Sequence, residues 1–289
     1  MSLSILRSDR GSLEQVIMNL ARNSCEAIRR LKRKIQLDKD REHKKHESKG
    51  WLNLGLIYIE TGSFRQALEA FQLVCFMEMD SLHSLIGTCY TELGQLEIAQ
   101  RELDRGLQLS KEQFKERNEC AAWRQYGDFC LRKTEIYEAQ ACYEKSIAIA
   151  RRKRFFDFEG HALHGLGDHY RLICDVGSAC QHYNQALKIA TIAGYYHLEA
   201  KVRVGLARLA LAERDYESVE REAAKVLKIA EKCSYKVQAT EAHLLLARVA
   251  RSLGEEAKEC QHLKAAHALV EQTEHYWTKQ ELIELEQRT

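Results

Sequence analysis

A small residue returns at fixed intervals along this chain, always inside an apolar stretch with helical spacing. It is glycine at 55, 87, 127 and 167 and alanine at 207 and 247, so one interval of 32 residues is followed by four of 40. Glycine in a helix interior costs roughly 1 kcal/mol relative to alanine. The position therefore indicates a close contact between helices, and the recurrence favours stacked repeats over one irregular domain.

Each unit contains two amphipathic segments separated by a polar or glycine-containing turn, for example GLGDHYRLIC, then DVG, then SACQHYNQALKIA. The chain has no proline, whereas average usage is roughly 5%. Helices joined by short loops can do without proline, so we predict an all-α fold. Because a single helix pair cannot bury its apolar stripe, stacked pairs should share one continuous core.

The first unit follows the pattern W-x2-L-G-x2-Y-x3-G-x-F-x2-A-x3-F over residues 51–71, which resembles the tetratricopeptide repeat signature. The resemblance extends over about residues 47–270 in five to six copies, and it implies a right-handed α-solenoid of stacked antiparallel helix pairs. The period of 40 is longer than the usual 34 and resembles an extended subclass found in kinesin light chains, LGN/Pins adaptors and MalT-type regulators. We expect a capping helix with a basic segment in residues 1–46, the array in 47–270 and a closing helix in 271–289.

In the architecture that this resemblance implies, the first helix of each pair lines the inside of the superhelix. If the small residue faces the second helix, the residues three before, one after and four after it lie on the concave side. This groove would be apolar in the first repeat, neutral and polar in the second, mixed in the middle and rich in arginine in the last third. We predict these protein-binding residues: Leu52, Leu56, Arg124, Asp128, His164, Asp168, Arg171, Lys201, Arg208, Arg248 and Arg251.

The uneven groove and the family resemblance together predict a non-enzymatic adaptor that binds a peptide or protein segment. Acidic groups of the partner would dock on the arginines of the last third, because a guanidinium fork can hold a carboxylate with two hydrogen bonds. Some proteins of this family clamp a chaperone's terminal carboxylate with lysine and asparagine at positions that match Leu52 and Leu56, so chaperone-tail binding is disfavoured. The sequence contains no GxxxxGK[ST], GxGxxG or GxSxG motif, and we predict no cofactor.

Two alternatives remain open. One is a sensor or regulatory array for a small ligand or a signalling partner. The other is a metal- or nucleic-acid-associated protein, in which zinc or iron would be bound by His161, His164, Asp168 and Asp128. That spacing is not a known metal signature, and the neighbouring Arg124 and Arg171 would repel a cation.

Residues 29–49 are the strongly basic segment, with ten Lys or Arg and four Asp or Glu, although the whole chain has a net charge of only +2. The segment is consistent with a solvated helix face, with an arm for nucleic acid, acidic lipid or an acidic partner, or with a nuclear-import signal at Arg29–Lys34. No aromatic residue interleaves the charges, which disfavours single-stranded nucleic acid.

Several features favour a cytoplasmic protein. No apolar run approaches the roughly 20 residues of a membrane span, and residues 1–15 lack the apolar core of a secretory signal. The ten cysteines are scattered without a CxxC pair and mostly occupy apolar helical positions, as expected for buried thiols in a reducing compartment. The heptad-like spacing of Leu13, Ile17, Leu20, Ser24, Ala27, Leu31 and Ile35 leaves the oligomeric state open.

Overall fold

The computed structural model describes residues 24–41, 43–75 and 79–287, and fourteen α-helices occupy nearly all of these residues. No strand occurs in these ranges. The helices are α1 (Ser24–Asp40), α2 (Lys44–Glu60), α3 (Phe64–Gln72), α4 (Met79–Glu92), α5 (Leu96–Glu112), α6 (Glu116–Arg132), α7 (Ile136–Lys153), α8 (Phe156–Leu172), α9 (Val176–Ala193), α10 (Tyr196–Ala212), α11 (Tyr216–Cys233), α12 (Lys236–Leu253), α13 (Glu256–Thr273) and α14 (Tyr276–Gln287).

Consecutive helices pack as six pairs, from α2 with α3 to α12 with α13, and each pair stacks on the next. The first helices of neighbouring pairs also contact one another, from α4 through α6, α8 and α10 to α12. These first helices form the inner layer of the solenoid and the second helices form the outer layer. The predicted all-α solenoid of helix pairs is therefore confirmed.

The recurring small residue lies where the two helices of a pair come closest, as the spacing predicts. A Cβ atom built on Gly55 would lie 2.3 Å from the ring of Phe71, and one on Gly127 would lie 2.7 Å from the ring of Tyr143. Tyr143 is fully buried, and its ring also meets Gly165 of the following repeat. One aromatic ring of the second helix thus fills the space that two glycines leave, and a larger side chain at either glycine would displace it.

The turn inside each pair places one residue in the left-handed region, again at a fixed slot. The slot is glycine in the first two repeats, with φ of 77° at Gly62 and 74° at Gly94. Glycine adopts this conformation without steric cost. The same conformation recurs in the later repeats at Thr134, Cys174, Arg214 and Gly254.

Helix α1 packs on the outer end of the array against α2. Its apolar stripe of Ala27, Leu31 and Ile35 is buried, and Ile57 of α2 packs in the same cluster as Ala27 and Leu31. The basic side chains between residues 29 and 34 lie on the opposite, exposed face. The earlier positions of the heptad-like pattern, Leu13, Ile17 and Leu20, fall outside the described residues.

The first and last repeats meet, so the array closes on itself. A Cβ atom on Gly62 would lie 2.7 Å from a methyl group of Val237 on α12. The rings of Phe64 and His275 have centroids 5.7 Å apart. This contact between residues far apart in the sequence turns the concave groove into an enclosed interior.

Helix α14 lies across the concave side instead of covering only the end of the stack. Trp277 Nε1 donates a hydrogen bond of 2.9 Å to the carbonyl oxygen of Thr91 on α4. At the other end of α14, Leu282 and Leu285 are buried in one apolar cluster with Leu244 of α12. The helix therefore spans the interior from the second repeat to the sixth.

Within the described ranges, no helix combines the length and the apolar character that a membrane crossing requires. The nine cysteines from Cys75 to Cys260 are free thiols, and five of them are buried, as the apolar helical pattern predicts: Cys89, Cys120, Cys130, Cys142 and Cys233.

Candidate functional site

The inner helices surround two cavities, whose linings share Glu92, Asp128, Arg132, Lys201 and Glu241. The first, here called the chamber, has a volume of about 410 Å³, and the second cavity has a volume of about 400 Å³. Leu52, Leu56, Arg124, Asp128 and Lys201 line the chamber. The second cavity is lined by His164, Asp168, Arg171 and Arg208, and the surface beyond it by Arg248 and Arg251.

The chamber also uses helical positions that the sequence analysis missed. The inner helices α6, α8, α10 and α12 have 17 or 18 residues, so their concave stripe extends further towards the amino terminus than the three positions considered. Six residues before the small residue, the lining residues are Ser81, Ala121, His161 and Glu241, together with Lys201, which the sequence analysis did predict. Ten residues before it, they are Arg117, His197 and Val237. Extending the same helical spacing backwards by two turns would have found both sets.

The chamber has one apolar wall. It is built from Leu52, Leu56 and Ile59 of α2, Phe64 of α3 and Val237 of α12. These side chains come together because the first and sixth repeats are neighbours in the closed array. The wall therefore depends on the ring closure as well as on the sequence of the first repeat.

The opposite wall is cationic. It is formed by α6, α8 and α10, which carry the cations Arg124 and Lys201 beside His161 and His197. Arg124 donates a hydrogen bond of 2.6 Å to Asp128, but Lys201 has no ion-pair partner in the part of the chain that the structure describes. The rings of His161 and His197 face each other with centroids 6.3 Å apart.

Both of these histidines are neutral in the folded protein. Burial is the main reason that the pKa of His197 falls to about 3, and the charge of Lys201 adds to the effect. Burial also holds the pKa of His161 well below its ordinary value, with Arg124 and Lys201 contributing. Each neutral imidazole retains one N–H donor, and neither ring makes a hydrogen bond among the described residues.

Glu60 stands at the apolar side of the chamber. Its carboxyl group has no hydrogen-bond partner in the described ranges, and burial raises its pKa from an ordinary 4.5 to about 8. The group is therefore mainly protonated at neutral pH. Burial, the charge of Glu60 and the contact with Cys233 raise the pKa of the nearby Tyr235 hydroxyl.

The two aspartates of the groove are fixed by buried tyrosines. Tyr143 donates to Asp128 over 2.8 Å and Tyr183 donates to Asp168 over 2.7 Å. Burial alone would raise the pKa of Asp168, but His164 and Arg171 hold it well below its usual range. The Asp168 carboxylate therefore remains ionised, and both aspartates already have partners.

This arrangement bears on the metal alternative. His164 Nε2 lies 3.5 Å from Asp168, whereas His161 turns towards His197 on the next inner helix. Among the residues that the structure describes, no three His, Cys, Asp or Glu side chains are grouped so as to hold a metal ion. The four proposed ligands are thus not brought together.

The arginines of the last third already bind groups of the chain itself. Arg208 and Arg248 contact Glu281 of α14 over 2.9 and 2.8 Å, and Arg208 also contacts Glu241 over 3.3 Å. Arg251 donates a hydrogen bond of 2.6 Å to the carbonyl oxygen of Leu285. The arginine-rich part of the groove is present where the sequence analysis placed it, but α14 lies in it.

Residues 48–75 match the family model described as tetratricopeptide repeat. No curated protein matches the sequence. Among solved structures, the chain resembles a Rap protein complexed with competence and sporulation factor, at a TM-score of 0.62 and 10% identity over 99% of both chains. It also resembles a chain of the APC/C hetero-tetramer Cut9–Hcn1, at a TM-score of 0.62 and 16% identity over 96% of this chain and 50% of that one.

A third similar structure is a signal transduction ATPase with a tetratricopeptide repeat sensor from Pyrococcus horikoshii, at a TM-score of 0.56 and 18% identity. The match covers 95% of this chain but only 44% of the ATPase. At these identities, the resemblances show a shared fold.

Proposed function

Because this chain carries a tetratricopeptide repeat and folds as a tetratricopeptide solenoid, we propose that it is a protein-interaction module that holds an acidic helical segment of a partner in its concave groove. One observation supports this most directly. The groove already accepts an acidic helix, because Glu281 of α14 lies between Arg208 and Arg248. We propose that α14 occupies the site in the absence of the partner.

The contacts of α14 suggest which features a partner helix needs. Trp277, Glu281 and Leu285 follow one another at intervals of four residues, so they lie along one stripe of the helix. The indole contacts Thr91, the carboxylate contacts two arginines, and Leu285 is buried. An aromatic, an acidic and an aliphatic residue at this spacing would fit the same groove in the helix-in-groove mode of recognition.

A covalently attached helix competes strongly with a free one, because attachment gives α14 a high effective concentration at the groove. Binding in trans should therefore be weak in the native chain and should increase when the attached helix is weakened. Glu281→Lys is the most direct change, since it sets a lysine against Arg208 and Arg248. Like charges in partly buried positions repel.

The test uses a fluorescent peptide with the sequence of Tyr276–Gln287 and measures its anisotropy with full-length protein. We expect Glu281→Lys to bind this peptide about tenfold or more tightly than the native chain does, since contacts of charged groups are worth about 1.5–3 kcal/mol. Glu271→Lys, a charge reversal on the exposed face of α13, should bind like the native chain. A peptide carrying lysine in place of Glu281 should bind none of them.

Equal binding by all three proteins, or no binding to any of them, would contradict the proposal. Circular dichroism checks that each variant is folded. If Glu281→Lys loses helicity, Glu281→Gln removes the two ion pairs without introducing repulsion, and the same increase in peptide binding is expected to a smaller extent.

A sensor function is the second candidate, and it is supported by a chamber residue, His275, that directly precedes α14. Glu92 and His275 line the chamber, and they are joined by a contact of 3.0 Å beside Trp277. A ligand in the chamber would displace this contact and so change how tightly α14 binds in the groove. Hydrogen exchange of α14 with and without a chamber ligand tests the coupling, and unchanged exchange at saturation would refute it.

A further inference from the structure

We propose that the chamber binds a small amphiphilic carboxylate, which is an aliphatic chain with one carboxyl group, with its head at Lys201 and its chain on the apolar wall. This assignment names a ligand class for the sensor candidate and is independent of peptide binding at α14. Its biological role rests on that candidate, but its test requires only the chamber.

Lys201 supplies the charge for the head group. The carboxylates around it already have cationic partners, because Asp128 binds Arg124, Glu92 binds Arg132 and Glu241 binds Arg208. Within the described ranges, Lys201 is left without a carboxylate at ion-pair distance, on a wall where Arg124 also faces the chamber. Lys201 is partly exposed to the chamber, and a bound carboxylate would give it an ion-pair partner.

The histidines beside Lys201 supply hydrogen bonds. His161 and His197 line the chamber, and neither has a hydrogen-bond partner in the described part of the chain. Both side chains are only partly buried, so a molecule in the chamber can reach their ring nitrogens. A carboxylate accepts several hydrogen bonds, so one head group could bind the ammonium and both imidazoles.

The apolar wall and Glu60 determine the orientation of the bound carboxylate in the chamber. Leu52, Leu56 and Phe64 offer aliphatic and aromatic surface on the side formed by α2 and α3, whereas Lys201 lies on α10. Glu60 on that side would repel a carboxylate whenever it ionises, whereas it tolerates a hydrocarbon chain. The volume of about 410 Å³ lies in the range of roughly 300–1,000 Å³ that is usual for small-molecule sites.

The test compares decanoate with decan-1-ol, which has the same chain without the charge, by isothermal titration calorimetry on the full chain. We expect decanoate to bind about tenfold or more tightly than decan-1-ol, because the carboxylate makes charge-assisted hydrogen bonds. Lys201→Met should remove this difference. Lys188→Met, on the exposed face of α9, should preserve it.

A substitution that fills the chamber tests whether decanoate binds there. Ala121 lies on the chamber wall between Arg117 and Arg124, and Ala121→Trp should abolish decanoate binding. Ala141→Trp, at an exposed position of α7, should leave it unchanged.

Three results would overturn the proposal: no binding of decanoate, equal binding of decanoate and decan-1-ol, or full decanoate binding by Lys201→Met. Tighter binding of the tripeptide Leu-Leu-Leu than of decanoate would overturn the assignment to a fatty acid in favour of a peptide end. Circular dichroism verifies the fold of each variant, and Lys201→Gln serves as a second variant if Lys201→Met is unstable. The α14 peptide assay is unaffected by any of these outcomes, so failure of one proposal does not imply failure of the other.

Discussion

Replacing Glu60 with glutamine should stabilise the protein by an amount that grows with pH. The reason is the burial of the Glu60 carboxyl group at the chamber, where it has no hydrogen-bond partner in the described ranges. Burial raises its pKa from 4.5 to about 8. The folded chain therefore keeps a proton that the unfolded chain releases, and folding becomes less favourable as that difference grows.

The size of the effect follows from the two pKa values. Below pH 4.5 both states are protonated and the group makes no difference. As pH rises from 4.5 to about 8, only the unfolded state is ionised, so native stability falls by about 1.4 kcal/mol per pH unit and then levels off. The accumulated loss is about 3 kcal/mol at neutral pH and about 5 kcal/mol above pH 8. Glutamine has nearly the same shape and does not titrate, so the variant avoids this loss.

Urea unfolding followed by far-UV circular dichroism measures the difference. Glu60→Gln should exceed the native chain by less than about 1 kcal/mol near pH 5 and by about 4 kcal/mol or more near pH 9. Glu69→Gln, on the exposed face of α3, should show no such trend. A difference between Glu60→Gln and the native chain that stays constant with pH would refute the reasoning, because it would mean that Glu60 is ionised in the folded state.

Two further predictions concern packing. Gly127→Ala places a Cβ atom 2.7 Å from the Tyr143 ring and should lower the free energy of unfolding by about 1–3 kcal/mol. Gly177→Ala, whose Cβ would meet nothing closer than 3.7 Å, should leave the free energy of unfolding unchanged or raise it. Equal melting temperatures of the two variants would contradict the packing prediction. Trp277→Ala removes the hydrogen bond to Thr91 and should lower the free energy of unfolding by about 2–3 kcal/mol. It should also speed amide exchange in α14, and unaltered exchange there would count against the described position of the helix.

The repeat period carried most of the information about the fold. A glycine that returns every 40 residues within an apolar helix can be explained by close packing, and Gly127 against Tyr143 shows that contact. The same spacing also identified the concave side, because residues on one face of a helix follow its geometry regardless of the partner. Local periodicity could therefore predict the inner layer and its lining.

The occupant of the groove could not be predicted in this way. Trp277 and Thr91 are 186 residues apart in the sequence, and no periodic signal links them. The sequence likewise shows arginines at 208 and 248 but not that Glu281 binds them, since many acidic residues along the chain could do so. Long-range closure depends on the accumulated rotation of six stacked pairs, which small changes in each pair would alter.

Ring closure also changes how the protein would respond to mechanical force. An open solenoid behaves as a spring, because each repeat contacts only its neighbours and small rotations add up to a large extension. Here Gly62 meets Val237, and Trp277 binds the carbonyl of Thr91, so the two ends of the coil are joined. A force that pulls on the termini must break these two contacts before any repeat can rotate. The closed form is therefore stiff, and the opened form is extensible.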